Sequence, residues 1–168
     1  RPEFSPALGP TIHHAGSVPV HRSGAAVGVG ILGDLCCRTQ DPRNCFTLAH
    51  TRSLGNHACS EPYGYLLELV DVLLPTEYEI AQMTGISLQS GHNIHHAAEK
   101  LLSLGLKNLI VTMGSQGAIL FNEKINQGMI IPACPVQVVD TTAAGDCFVG
   151  ALAVGMCEGK SLLAAAEF

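Results

Sequence analysis

Arginine is absent after Arg52 and lysine is absent before Lys100. No apolar run reaches the ~18 residues that a membrane-spanning helix needs. No Cys-x-x-Cys pair occurs, and no long block of like charge is present. These absences exclude a basic nucleic-acid-binding stripe, a helical membrane anchor and a paired-cysteine zinc module. The N-terminus lacks the basic-then-apolar pattern of a secretion signal. The seven cysteines are an odd count, which fits reduced, buried thiols in a cytosolic protein better than a disulfide framework. A formal net charge of -5 gives no reason to expect a polyanionic partner, whether nucleic acid or membrane surface.

The residues that are present are unevenly distributed. Residues 1–60 carry five basic and three acidic groups, whereas residues 61–168 carry four basic and eleven acidic ones. The first part also holds five of the nine prolines and five of the eight histidines. It sustains neither a period of 2 nor one of 3.6 residues. Residues 1–62 are therefore left unassigned, with a composition foreign to the rest of the chain. Gly28-Val-Gly-Ile-Leu-Gly33 formally matches the dinucleotide fingerprint, but no acid stands between Asp41 and Glu61, and Pro42 interrupts any helix after Asp34.

From Tyr63 onward, strands alternate with helices. Leu66–Leu74 reads as a buried strand stopped by Pro75. Thr76 is an N-cap candidate with Glu79 in the capping-box position, and Gly85 ends that helix. A second helix is predicted over Asn93–Leu104, with Ala97, Ala98, Leu101 and Leu102 inward and Gly105 as its stop. Asn108–Met113 and Ala118–Phe121 read as strands. Met129–Val139 reads as extended, with Pro132 and Pro135 suiting an edge or bend. A last helix runs over Ala144–Met156. The alternation predicts an α/β fold, a mostly parallel sheet flanked by helices in three layers.

Three stretches carry candidate chemistry. In Asp140-Thr-Thr-Ala-Ala-Gly-Asp-Cys-Phe-Val-Gly-Ala-Leu152, two carboxylates bracket residues with almost no side chains, at the start of a helix. Helix starts present unpaired N–H groups and partial positive charge, so Ala143, Ala144 and Gly145 form a cradle for an anion. Asp146, in the first turn, is placed to take a proton from an attacking alcohol. Asp140 either binds a cation or holds the loop's shape. The same residues also serve a plain, closely packed helix start. Thr112-Met113-Gly114-Ser115-Gln116-Gly117 comes after a strand, as a nucleotide-contacting loop would, and equally fits a glycine-containing hairpin. In His92-x-x-His95-His96 the imidazoles share a helix face, but no Cys or carboxylate is spaced to complete a metal site, so a solvated face is expected.

Three segments carry a likeness. Residues 140–152, Asp71-Val-Leu-Leu-Pro-Thr-Glu-Tyr-Glu79 with Met83-Thr-Gly85, and Val111-Thr-Met-Gly-Ser-Gln-Gly117 resemble, in order and spacing, motifs of the ribokinase-like (PfkB) carbohydrate kinases. The resemblance covers residues 63–168 and implies a partial ribokinase-like fold. It implies that Asp146 deprotonates the 5-hydroxyl of D-ribose, so that ATP and ribose give ribose 5-phosphate and ADP. It implies an anion hole from Ala143 through Asp146 and an ATP site lined by Thr112, Met113, Gly114, Ser115, Gln116 and Gly117, with Thr76 beside the phosphates. It further implies Mg²⁺ near Glu79, K⁺ at Asp140 and Thr142, and a cytoplasmic enzyme whose full-length parent is a homodimer. Thr76 stands where the family carries Asn. Ala143 stands where many relatives carry Gly, a change tolerable if its φ stays negative. The family's sugar-binding half and the segment completing its adenine pocket and cation site have no counterpart in the sequence, so the chain alone is expected to be weakly active or inactive. With no arginine after Arg52, charge on a transferred phosphoryl group must be met by N–H groups, metal ions or one of four lysines.

Overall fold

The computed structural model describes residues 35–36, 45–46, 48–49, 67–68, 70–88 and 92–167. The glycine-rich stretch Gly28–Gly33 lies outside them. Strands β1 (Leu35–Cys36) and β2 (Cys45–Phe46) form a small antiparallel pair. The main sheet has five strands in spatial order β3 (Leu48–Ala49), β4 (Val72–Leu73), β5 (Asn108–Thr112), β6 (Ala118–Asn122) and β7 (Ile125–Ile131). β3, β4 and β5 are mutually parallel, while β6 is antiparallel to both β5 and β7. Four of the five strands therefore run the same way, and only β6 is reversed. The segment unassigned by its sequence thus supplies the strand at one edge of this sheet.

Period-2 alternation divides the apolar side chains between the two faces. Leu73, Leu109, Val111, Ile119 and Phe121 face one way, against helices α1 (Glu77–Thr84) and α2 (His92–Ser103). Leu48, Val72, Leu74, Ile110, Leu120 and Ile131 face the other way, against α3 (Ala144–Cys157) and α4 (Leu162–Ala166). The result is the three-layer α/β arrangement that the alternating elements predict. Leu109, Ile110 and Val111 are each fully buried, because strands in the centre of such a sheet are covered on both sides.

The α1 capping box forms as its sequence predicts. The Glu79 amide donates to Oγ1 of Thr76 at 3.2 Å, and the Thr76 amide donates to Oε2 of Glu79 at 2.7 Å. The Thr76 hydroxyl donates to the same carboxylate oxygen at 3.0 Å. Gly85 closes the helix in the left-handed conformation, with φ 69°. Thr76→Ala removes the hydroxyl acceptor and one donor to the carboxylate. It is expected to cost about 1–2 kcal/mol, lowering the melting temperature by several degrees in a thermal unfolding scan.

Some expectations shift. The apolar run over 66–74 is not one strand: residues 67–68 are helical, and strand geometry is confined to Val72–Leu73. β7 begins at Ile125, earlier than its apolar pattern suggests, and ends at Ile131. Residues 132–140, with both prolines, have no regular secondary structure. Cys134 and Cys147 are free and exposed, and Cys157 is disulfide-bonded, so the expectation of uniformly reduced, buried thiols fails. His95 is half-buried, with its ring edge-on to Phe121 at 5.4 Å between centroids, so it is a packing residue and not part of a solvated face. Among the described residues no group of three or more His, Cys, Asp or Glu side chains could hold a metal ion.

Candidate active site

Two of the three motif segments leave the sheet at a common edge, and the chain leading to the third starts there. β4 continues through Leu74 and Pro75 to Thr76, which makes an isolated parallel bridge with Thr112 at the C-terminal end of β5. The Thr112 amide donates to the Pro75 carbonyl at 3.0 Å. Pro75 has no N–H, so the ladder narrows there and the chain turns into α1. β7 runs in the same direction as β5, and its last residue, Ile131, pairs with Ala118 directly opposite Thr112. The chain toward Asp140 thus starts from the same edge. Crevices beyond the C-terminal ends of strands are where open α/β sheets receive ligands.

The segment 112–117 is the connection of an antiparallel hairpin, β5 to β6, and sits at this edge. A single 3₁₀ turn over Gly114–Gln116 is held by Gln116 N–H to the Met113 carbonyl and Gly117 N–H to the Gly114 carbonyl, each at 3.1 Å, and Met113 N–H to the Gly117 carbonyl at 2.8 Å closes the hairpin. Gly114, Ser115 and Gln116 are exposed, and their surfaces are open to a ligand. The hairpin and nucleotide-loop readings are therefore compatible: the first describes the backbone, the second its location.

The loop before α3 has its own internal scaffold. Oδ1 of Asp140 accepts from the Thr142 amide and from the Thr142 hydroxyl, each at 2.8 Å. These two bonds, the amide's first, hold the Asp140 carboxyl below the ordinary carboxylate range. Their contribution to the folded loop is present above the ordinary value and is lost as pH falls through the lowered one. The Ala144 amide then donates to the Thr141 carbonyl at 3.2 Å. Ala143 comes just after the Asx turn with φ 60° and ψ 13°, and it is the one non-glycine residue with positive φ among those described. The condition for a harmless alanine, a negative φ, is not met. No side chain caps α3, and its first turn opens onto solvent with Ala143, Ala144 and Asp146 exposed. Asp146 is the acid of that turn.

The left-handed alanine carries strain of about 1–2 kcal/mol. Ala143→Gly is expected to relieve it, against some gain in unfolded-chain freedom, for a net stabilisation of about 1 kcal/mol. Urea unfolding checks this as a higher midpoint at unchanged m-value.

Thr76, Glu79 and 112–117 are brought together by the bridge. The 140–146 loop is reached from that edge through the irregular residues 132–139 and is tied to neither by a hydrogen bond or ion pair among the described residues. Two features escaped the sequence: the Asx turn, signalled by Asp-x-Thr at 140–142, and the left-handed Ala143, for which no local signal exists. The residues nominated for metals do not form a cage. Oδ1 of Asp140 is engaged by Thr142 on an exposed loop, and Oε2 of Glu79 is engaged by Thr76. A hard cation gathers several oxygens around one point, and these carboxylates are instead each drawn to a neighbouring threonine.

Comparison with known proteins agrees with this architecture. The sequence matches the family described as pfkB family carbohydrate kinase over residues 36–168. It is 47% identical over 98 residues to a ribokinase of Arabidopsis thaliana, covering 57% of this chain and 25% of that protein. A Staphylococcus aureus ribokinase is 38% identical over 86 residues, 51% of this chain and 28% of that one. The structure of Arabidopsis thaliana ribokinase complexed with ribose and ATP superposes with a TM-score of 0.62 at 33% identity, over 71% of this chain and 37% of the other. The aminoimidazole riboside kinase of Salmonella enterica, complexed with aminoimidazole riboside and an ATP analogue, gives 0.60 at 28% identity, over 73% and 42%. The chain thus spans well under half the length of these relatives. With the match running across most of its residues, and with the sheet order and motif positions described above, the chain belongs to the pfkB family of carbohydrate kinases.

Proposed function

We propose that the complete protein containing this chain is an ATP-dependent sugar kinase acting on the 5-hydroxyl of D-ribose, with Asp146 as its base. The observation that carries this reading is the start of α3: uncapped, walled by Ala143, Ala144 and Gly145, with an exposed carboxylate in its first turn. ATP, when bound, supplies the transferable phosphoryl group. The first amides of α3 donate to the phosphate oxygens, where negative charge is concentrated. The 5-hydroxyl oxygen attacks the γ-phosphorus as Asp146 takes its proton, the bond to the β-phosphate oxygen breaks, and ribose 5-phosphate and ADP result. Thr112 through Gly117 line the nucleotide side, with Thr76 next to them across the bridge. No step is drawn through Mg²⁺ or K⁺, since the residues nominated for them do not form a ligand cage.

The choice of ribose rests on the ribokinases among the relatives. The second reading is a different acceptor within the same family, fructose or a nucleoside, and the comparable superposition of the aminoimidazole riboside kinase speaks for the nucleoside. A proton acceptor beside an anion cradle serves any primary alcohol. Assays of the complete parent with ATP and D-ribose, D-fructose or a nucleoside decide between them. Turnover with ribose at least tenfold more efficient than with the others supports the proposal, and a preference for fructose or a nucleoside replaces it. The 168-residue chain by itself is expected to turn over ribose weakly or not at all, leaving at most nucleotide binding. Ordinary kinase rates from the isolated chain contradict that expectation.

A further inference from the structure

The resemblance would give Asp140 and Thr142 to a monovalent cation, whereas their geometry gives them to each other. One carboxylate oxygen receives both donors of Thr142 at 2.8 Å. The next residue, Ala143, adopts φ 60°, a conformation that alanine avoids unless its surroundings impose it. Packing imposes little here, since residues 132–144 are exposed throughout. The constraints are hydrogen bonds. Thr142 is pinned to Asp140 on one side. On the other, the Ala144 amide reaches back to the Thr141 carbonyl at 3.2 Å, and the Cys147 amide reaches the Ala143 carbonyl at 2.9 Å. Between these anchors the chain must reverse within one residue, and that residue is Ala143. The turn decides where the amides of Ala144, Gly145 and Asp146 point.

We propose that Asp140 and Thr142 are positioning residues: their paired hydrogen bonds impose the left-handed turn at Ala143, and thereby aim the first amides of α3, with no bound cation required. The functional consequence rests on the reading of α3 as the phosphate cradle, but the structural statement does not. In this chain the carboxylate would preorganise the loop by its position as an acceptor, where a cation would do so by its charge.

The distinction is tested on the full 168-residue chain by NMR, using the strong intraresidue Hα–HN cross-relaxation that marks a positive φ. The buffer contains tetramethylammonium as its only cation, which is too bulky to enter a small oxygen cage. The Ala143 signature is expected in that buffer and is expected to stay unchanged when K⁺ is added. It is expected to persist in Asp140→Asn, whose amide oxygen still accepts, and to be lost in Asp140→Ala. Methyl signals of the buried Leu109 and Ile110 verify that each variant is folded, and Thr142→Val, which removes only the hydroxyl donor, is expected to weaken the signature. A signature that appears only with K⁺, that vanishes in Asp140→Asn, or that survives Asp140→Ala undiminished overturns the proposal. None of these outcomes depends on phosphoryl transfer, so a failure here leaves the kinase reading standing, and an inactive parent protein leaves this inference standing.

Discussion

Asp146→Asn in the complete parent protein is expected to lower kcat by about a hundred- to ten-thousand-fold, the range that a positioned general base contributes. Asparagine has nearly the same shape and can occupy the same place in the first turn of α3. It cannot accept a proton from the attacking hydroxyl. The substitution therefore separates chemistry from binding. KM for the sugar should change by less than about threefold, because the lost interaction is made only as the proton moves. The exposed position of Asp146 makes the variant a clean one, since no buried contact is broken. Steady-state kinetics measure it. Turnover within about threefold of the unsubstituted parent would remove Asp146 from the mechanism.

Gly117→Ala is expected to have the largest effect on stability. At φ 91° and ψ -130° the residue occupies a region that side chains rarely enter. A Cβ there would lie 2.1 Å from the Ile131 carbonyl oxygen, 2.7 Å from the Ala133 nitrogen and 2.9 Å from the Pro132 carbonyl carbon. All three are backbone atoms at the end of β7, so no side chain can swing aside. Relief requires prising the β5–β6 hairpin away from the end of β7. Conformational strain and steric overlap together are expected to cost about 3–5 kcal/mol, a large fraction of the ~5–15 kcal/mol that keeps a domain folded. Gly114 provides the comparison. Its φ is also positive, at 56°, but a Cβ there would meet nothing within 4 Å. Gly114→Ala is therefore expected to cost only about 1–2 kcal/mol from conformation alone. Denaturant unfolding of both variants measures the difference. Equal losses would show that the close approach of β7 contributes nothing.

How far these features could be read from the sequence depended on the range of the interactions that set them. The α1 boundaries were legible because a capping box joins residues three apart, Thr76 and Glu79, and because a left-handed stop favours a residue such as Gly85. β5 and β6 were legible as strands because Leu109–Val111 and Ala118–Phe121 are short, uninterrupted apolar runs, as strands covered on both faces are. The start of β4 was not: Leu66–Leu69 carries three leucines beside Glu68, a run that continues toward Val72–Leu74, and only pairing with β3 and β5 decides which part is extended. β7 escaped in the opposite way. Asn126, Gln127 and Gly128 break the apolar pattern and fall where the register with β6 shifts, between the Asn122–Ile125 and Leu120–Met129 pairs that keep the strand continuous. At the candidate site, the small-residue helix start and Asp146 in its first turn were visible as composition. The φ of Ala143 was invisible, because alanine gives no local sign of a conformation forced on it by the Asp140–Thr142 turn. The metal assignments came from resemblance, and the side chains that carry them are engaged in this chain with neighbouring threonines.

The opening of α3 receives the phosphates, in the function proposed here, and the 112–117 hairpin lies on the nucleotide side. Titration of the isotopically labelled chain with ATP, followed through its backbone amide signals, tests that claim most directly. The amides of Ala143 through Asp146 are predicted to shift first and furthest, then those of Gly114 through Gly117, with saturation at a common ATP concentration. Shifts confined to other surfaces, with the start of α3 unmoved at saturating nucleotide, would contradict it.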